Sequence, residues 1–504
     1  MSDTNQTAMN ETRPTKPGDR VFRPRRIKPF HLKRVLGIPG LFSAGYGDVG
    51  SSIYYALGIV AVVALGATPI ALAVAGIIYI FNALTYAEGG AMIPEAGGSS
   101  SFARHAFNDL IGFISGWALM LSYIVTMAIS AYTIPPYLAY FWPILNNPVI
   151  DTLMAMGIIL FLMVINVVGI RESSRMNIFF IGVDITTQLT LVILGVFLIL
   201  GPNPGILFEH MFSAGNWPTI QNLVFGIAIA ALCFTGVETV AQLAEETRRP
   251  AERIPRAYVI MIVAVLILFA GISIVALSAM TPQILGDPVG GWARDPIAGI
   301  AAHLPSKTLQ SIFAPLVAIL AATILLTATN AALMGISRLS YNLASHKQFP
   351  EIFGRIHLRF KTPYMAIIIF CLLSILLLSP GLANPGFFTD LGALYIFGSL
   401  LCFALAHAAI IGLRVRKPEL PRPFKLHGNL KIRGRELPVT AILGLLATSA
   451  IWVTVIITQP YSRWAGIIWM VAGFGIYYAY RRWKHIPLTQ STPARATIDR
   501  NQQP

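Results

Sequence analysis

Uninterrupted apolar runs of roughly 20 residues, the helix length that crosses a hydrocarbon core of about 30 Å, recur along the chain from residue 36 to residue 482. In lipid every backbone N–H and C=O must be satisfied within the segment, so such runs are helices. Buried helices of a large water-soluble protein would keep polar faces at helical period, and most of these runs have none. Composition agrees, because with 55% hydrophobic and 12% charged residues the 504-residue chain has too little polar surface to close a soluble globule. The expected fold class is all-α and polytopic.

Apolar runs place twelve helices near 36–65, 69–93, 109–139, 149–170, 177–201, 219–244, 257–280, 308–342, 364–380, 387–413, 438–459 and 464–482. With the N-terminus inside, every Lys and Arg except Arg294, Lys307 and Arg463 falls on the cytoplasmic side, the segregation that orients membrane proteins. One span miscounted early in the chain would scramble it. The organisation expected is a basic cytoplasmic tail (1–35), helices 1–5 (36–201), helices 6–10 (219–413), two further helices (438–482) and a cytoplasmic tail (483–504), multi-pass in the plasma (cell inner) membrane.

The net charge of +15 reads as topology, because the basic residues are spread over tails and loops and not gathered with stacking groups on one surface. No nucleic-acid partner is expected. Arg20, Arg23, Arg25, Arg26 and Lys28 of the first tail form either a contact with anionic lipid or a solvated arm. The tail has no apolar signal region, and its glycosylation-like triplets at Asn5 and Asn10 carry little specificity. Cys233, Cys371 and Cys402 fall inside helices and read as packing residues. Histidines are scattered, with His407 inside a helix as a packing residue. No Gly-Lys pair occurs, so there is no phosphate loop. Neither an enzyme nor an ATP-driven pump is expected, and no catalytic residue, metal or cofactor is assigned. An ion or solute gradient is left as the energy source.

Two helices read as interrupted. In the first, Gly45-Tyr46-Gly47-Asp48-Val49-Gly50-Ser51-Ser52 sets three glycines, two serines and a carboxylate in an apolar run. In the sixth, Cys233-Phe234-Thr235-Gly236-Val237-Glu238 again sets a glycine and an acidic residue near mid-membrane. These are corresponding positions of two five-helix halves, the pattern of inverted repeats that place a site at the bilayer midplane between discontinuous helices. Unwinding would expose backbone N–H groups to anions and backbone carbonyls to cations, so that one site could hold both ends of a zwitterion. Small residues also serve close helix packing, but an intramembrane Asp and Glu beside them favour a site.

Residues 36 to about 425 resemble the amino acid-polyamine-organocation superfamily, and four motifs carry the resemblance. Tyr86-Ala87-Glu88 near the end of the second helix and Pro94-Glu95-Ala96-Gly97-Gly98-Ser99 after it are the first. Glu245-Glu246-Thr247-Arg248-Arg249-Pro250 with Arg253-Ile254-Pro255-Arg256 follows the sixth. The eighth helix and its exit supply Arg338, Tyr341, Phe349-Pro350 and Lys361-Thr362-Pro363; Arg416-Lys417-Pro418-Glu419-Leu420-Pro421-Arg422-Pro423-Phe424 is the fourth. The resemblance implies a five-plus-five inverted repeat with two added helices, the LeuT-like fold, with alternating access and substrate bound at the breaks of helices 1 and 6. By position it implies that Gly50, Ser51 and Ser52 receive a substrate carboxylate. It likewise implies that Phe234, Thr235 and Gly236 receive an amino group beside Glu238, with Phe234 as the closing aromatic. In helix 3, Trp117, Tyr123 and Thr126 are available, and Tyr123 either lines the cavity or packs between helices.

Two departures bear on what is carried. Asp48 stands where many relatives have an apolar residue, and with Gly47 beside it would attract an ammonium group, an alkali cation or a proton. The run Tyr46-Gly47-Asp48-Val49-Gly50-Ser51-Ser52 is also similar to a helix 1 motif of KUP-type potassium transporters. Asp184 stands where several proton-coupled carriers have a lysine. Facing the core it must be protonated, paired or bound to a cation; the alternative is a polar crevice near the membrane surface. The reading is a proton- or cation-coupled importer of amino acids or related amines, with Glu238, Asp48 and Asp184 as coupling residues. A potassium-proton symporter is the alternative.

Overall fold

The computed structural model describes residues 34–490 apart from 170–173, 289, 358, 361, 385, 426–428 and 433–434. Expectations about most of the basic tail, residues 1–33, about 491–504 and about Lys361 lie outside the described residues. Ten described helices are long and apolar enough to cross a membrane. The first, Ile38–Met92, runs for 55 residues, far longer than a core of about 30 Å requires. It folds as two spans about Leu65, whose φ of +47° turns the chain back. The last helix, Pro460–Trp483, has the length to cross but carries Arg463, Arg481 and Arg482. Counted so, the described residues make twelve spans.

Span 1 comprises Ile38–Val49, a tight 3-10 turn at Gly50–Ser52, and Ile53–Ala64. Spans 2 to 5 are Thr68–Met92, Asp109–Leu138, Pro148–Val168 and Ser174–Gly195, the last extended by a π turn at Val196–Leu200. Span 6 comprises Ile220–Ala230, a 3-10 turn at Ala231–Phe234, and Glu238–Gln242. Spans 7 to 12 are Pro250–Ala279, Lys307–Ser345, Tyr364–Leu378, Phe387–Arg416, Val439–Thr458 and Pro460–Trp483. Four spans lie between span 1 and span 6, so the two run in opposite directions. Span 7 starts seven residues before its apolar run because Pro250 fits the first helical turn, where no N–H is needed. A hairpin pairing Leu430–Ile432 with Arg435–Leu437 precedes span 11, too short and polar to announce itself in sequence.

Span 3 is buried over 83% of its apolar window, against 28% for spans 4, 5 and 11, so it forms the centre of the bundle while those face lipid. Span 12 docks on span 3 through a reciprocal pair. The Trp117 indole N–H donates to the Trp469 carbonyl at 2.7 Å, and the Trp469 indole N–H to the Trp117 carbonyl at 2.9 Å, with the rings stacked 4.4 Å apart. A buried ion pair, Arg481 to Asp109 at 2.7 Å, closes the same seam. His407 in span 10 is a packing residue: Thr85 bonds its Nδ1 and Asn82 its Nε2, both at 2.8 Å, tying spans 2 and 10. All three cysteines are buried and unbridged.

Candidate functional site

Span 6 is broken where the sequence places the break. Thr235 is extended (φ −78°, ψ 164°) and Gly236 takes φ +94°, a conformation that glycine alone adopts without strain. The interruption stays stable in lipid because local groups cover its polar atoms. The Thr235 hydroxyl donates to the Leu232 carbonyl at 2.8 Å, and the Tyr258 hydroxyl, from span 7, donates to the Val237 carbonyl at 2.7 Å. Asp48 of span 1 lies directly against the break. A Cβ on Gly236 would come within 2.7 Å of its Cγ, and the Thr239 hydroxyl donates to Asp48 Oδ2. Glu238, the residue before Thr239, is 1% exposed and lies within electrostatic reach of Asp48. Its Oε2 has no hydrogen-bond partner among the described residues.

Span 1 is interrupted more mildly than the sequence suggests. Val49, Gly50 and Ser52 all keep right-handed helical dihedrals, so the backbone tightens to a 3-10 turn and does not unwind. Two contacts hold the turn shut: the Ser51 hydroxyl bonds back to the Asp48 carbonyl at 2.8 Å, and the Tyr46 ring packs on Gly50. The amides that unwinding would offer to an anion are therefore engaged within the helix. Ser52 faces the Tyr55 hydroxyl at 3.3 Å. Gly47 packs against Ile181 of span 5. Phe234 is turned away from Asp48, its ring between Tyr79 of span 2 and Phe269 of span 7 at centroid distances of 5.2 and 5.4 Å. Held between those two rings, it does not cover the site in this state.

Tyr123 is 2% exposed, with its hydroxyl unpartnered among the described residues, and packs against Gly335 of span 8. Gln242 Oε1 borders the same spot, and Gln242 Nε2 also lacks a partner there. Thr126 bonds back to the Ser122 carbonyl at 2.8 Å. The structure thus gathers Asp48, Gly236, Glu238 and Thr239, and sets Tyr123 beside Gln242. Thr239 and Gln242 are not among the residues singled out from sequence, although Gln242 lies four residues after Glu238 and so on its face of the helix.

Asp184 faces the core, 1% exposed, and not a polar crevice. Tyr54 donates to its Oδ1 at 2.5 Å and Gln188 to its Oδ2 at 2.8 Å. Tyr54 leaves span 1 on a different side from Asp48, and the two carboxylates keep separate partners. Asp184 belongs to a separate polar cluster.

The four motifs interlock at the end of the bundle where spans 1 and 7 begin. Glu88 of span 2 holds Arg414 of span 10 in a buried bidentate pair at 2.8 and 2.5 Å, with Arg422 at 3.9 Å. Glu245 accepts from the Ala96 amide at 3.3 Å, and Glu246 pairs with Arg338 of span 8 at 2.9 Å. The Val35 and Leu36 amides donate to the Glu246 carbonyl at 2.8 and 2.9 Å, which zips the start of span 1 to the loop after span 6. Glu95 accepts from Arg104 at 2.5 Å and His105 at 2.8 Å. Partial burial works to raise the Glu95 carboxyl, but the His105 hydrogen bond and the charges of Arg104 and His105 outweigh it, holding its pKa at about 2. A depressed carboxyl contributes stability that is full above its unfolded pKa and lost as pH falls through the folded value. Thermal stability of the purified wild type is therefore expected to fall between about pH 4.5 and pH 2 by more than that of Glu95→Gln; parallel curves would remove Glu95 as the cause.

A family model described as amino acid permease matches residues 36–477. Similar proteins include the branched-chain amino acid permease BcaP of Bacillus subtilis (strain 168), 29% identical over 91% of this chain and 95% of the relative. The large neutral amino acids transporter small subunit 2 of Homo sapiens is 25% identical over 82% of this chain and 74% of its own length. The cystine/glutamate transporter of Homo sapiens is also 25% identical, over 82% of this chain and 78% of its own length. The potassium-proton alternative finds no support in these matches.

Proposed function

The chain belongs to the amino acid permease family, and from that premise we propose that it imports amino acids or related amines, coupled to protons or another cation, by alternating access. Both termini are assigned to the cytoplasm and the two five-span halves to an inverted repeat, on the Lys and Arg segregation and on the opposed directions of spans 1 and 6.

The observation that carries the reading is that Asp48, bonded by Thr239 at the break of span 6, lies within electrostatic reach of the buried Glu238, one oxygen of which has no partner among the described residues. Two carboxylates buried within electrostatic reach of each other call for a proton, an ammonium group or a metal cation nearby. A substrate amine there would satisfy Glu238 and Asp48 together with Thr235 and Gly236. A substrate carboxylate would lie toward Ser51 and Ser52, once their hydroxyls turn from the Asp48 carbonyl, with Gly47 and Gly50 giving span 1 room to move. Tyr123 and Gln242 offer the polar groups of the inner wall, and Phe234 would have to swing inward to close over substrate. Asp184, bonded by Tyr54 of span 1, is assigned to coupling through that helix. Site residues are sealed from solvent, as an occluded stage of alternating access requires.

The test is uptake into proteoliposomes under an imposed proton gradient, with a panel led by the branched-chain and large neutral amino acids named for two of the relatives, beside polyamines and rubidium. Saturable uptake of an amino acid or amine that persists without potassium and is lost in Asp48→Asn is the expected result. Rubidium uptake that amino acids do not compete for, abolished by the same substitution, would overturn it.

A further inference from the structure

A hollow of about 360 Å³ opens where span 1 and span 7 begin, lined by Gly37, Ile38 and Pro39 on one side and by Arg249, Glu252, Arg253 and Arg256 on the other. Three guanidinium groups against one carboxylate leave it strongly positive. Arg253 Nη1 reaches the Leu36 carbonyl at 3.3 Å, bridging the two walls. Arg256 has no protein partner among the described residues. The charge excess is set in a concavity, which a general bias of basic residues toward one membrane side does not require.

The position of the hollow says what fills it. Arg256 heads a lipid-facing stripe of span 7: Val259, Ile260, Val263 and Ile267 follow it at helical spacing and are 46, 48, 54 and 58% exposed. An occupant with an anionic head and an apolar tail matches both surfaces at once, whereas a small free anion matches the hollow alone. Guanidinium groups bind phosphate oxygens in a planar, bidentate manner and remain charged at any physiological pH.

We propose that this hollow is a binding site for the headgroup of an anionic phospholipid whose acyl chain lies along the Val259–Ile267 stripe. The bound phosphate links span 7 to the start of span 1, the segment zipped to the loop after span 6, and so favours the arrangement in which this end of the bundle is shut. The inference is independent of the transported solute.

The test is native mass spectrometry of the full chain released from nanodiscs of phosphatidylcholine containing a minority of phosphatidylglycerol. Each arginine removed near a lipid surface is expected to weaken retention about fivefold. Arg256→Gln alone therefore lowers phosphatidylglycerol retention about fivefold, and Arg253→Gln with Arg256→Gln about 25-fold. Phosphatidylcholine retention stays unchanged. The control, Arg355→Gln with Arg359→Gln, removes equal charge from an exposed loop at the same end of the bundle. Equal loss in the control, or retention of the two lipids in proportion to their abundance, would overturn the site. Displacement of phosphatidylglycerol by millimolar inorganic phosphate would reassign it to a free anion.

Discussion

Gly236→Ala is expected to arrest uptake while leaving the protein folded. A Cβ at this position would sit 2.7 Å from Asp48 Cγ and 3.0 Å from Oδ2, and the backbone φ of +94° is one that L side chains rarely adopt. Strain of this kind costs on the order of 1–3 kcal/mol, and overpacking a tight contact a further 1–3 kcal/mol. The chain can relieve both in only two ways. Asp48 can retreat and break its bond from Thr239, or the break can flatten and reorient Glu238. Either dismantles the carboxylate pair. At about 1.4 kcal/mol per tenfold change, even the low end of that range corresponds to roughly a thirtyfold loss of initial rate. The measurement is amino acid uptake per reconstituted protein, beside Gly157→Ala, where an added Cβ meets nothing within 4 Å. Wild-type rates in Gly236→Ala would mean that transport does not pass through this contact.

Much of this was legible in the sequence because lipid permits few solutions. Apolar runs gave the twelve spans, and the glycine beside Glu238 marked a true break, since a φ of +94° at Gly236 leaves no other residue type comfortable. The same cue overstated span 1, where Gly50 makes room for the Tyr46 ring and the backbone stays helical. A small residue signals close approach or unwinding alike, and sequence does not separate them. Side-chain facing was the other blind spot. Asp48 and Asp184 look equivalent as intramembrane acids, yet Thr239 binds the first and Tyr54 and Gln188 the second. Phe234 falls at the break by number, but it ends the 3-10 turn with its ring between Tyr79 and Phe269. Motif spacing located the signatures without revealing that all four meet at one end of the bundle, because that convergence joins residues more than 300 positions apart, as Glu88 and Arg414 are.

That convergence sets the second large effect. Glu88→Met is expected to destabilise the protein more than Arg414→Met, and the double variant less than either. Glu88 and Arg414 are 1% and 2% exposed, and removing one partner of such a pair leaves an uncompensated charge at a cost of about 3–5 kcal/mol. The two losses are not symmetric. When Arg414 is removed, Glu88 still has Arg422 at 3.9 Å; when Glu88 is removed, two guanidinium groups face each other without their shared acid. Replacing both by methionine removes the desolvated charges together, which costs little when the volume is kept. The readout is the half-life of the monodisperse fraction in detergent at a fixed elevated temperature, a rate suited to a large membrane protein that does not refold reversibly. Additive losses in the double variant would show that Glu88 and Arg414 act through different neighbours. Recovery of stability with slowed uptake would instead give the pair a part in the movement, since it joins spans 2 and 10 at the end where span 1 is zipped shut.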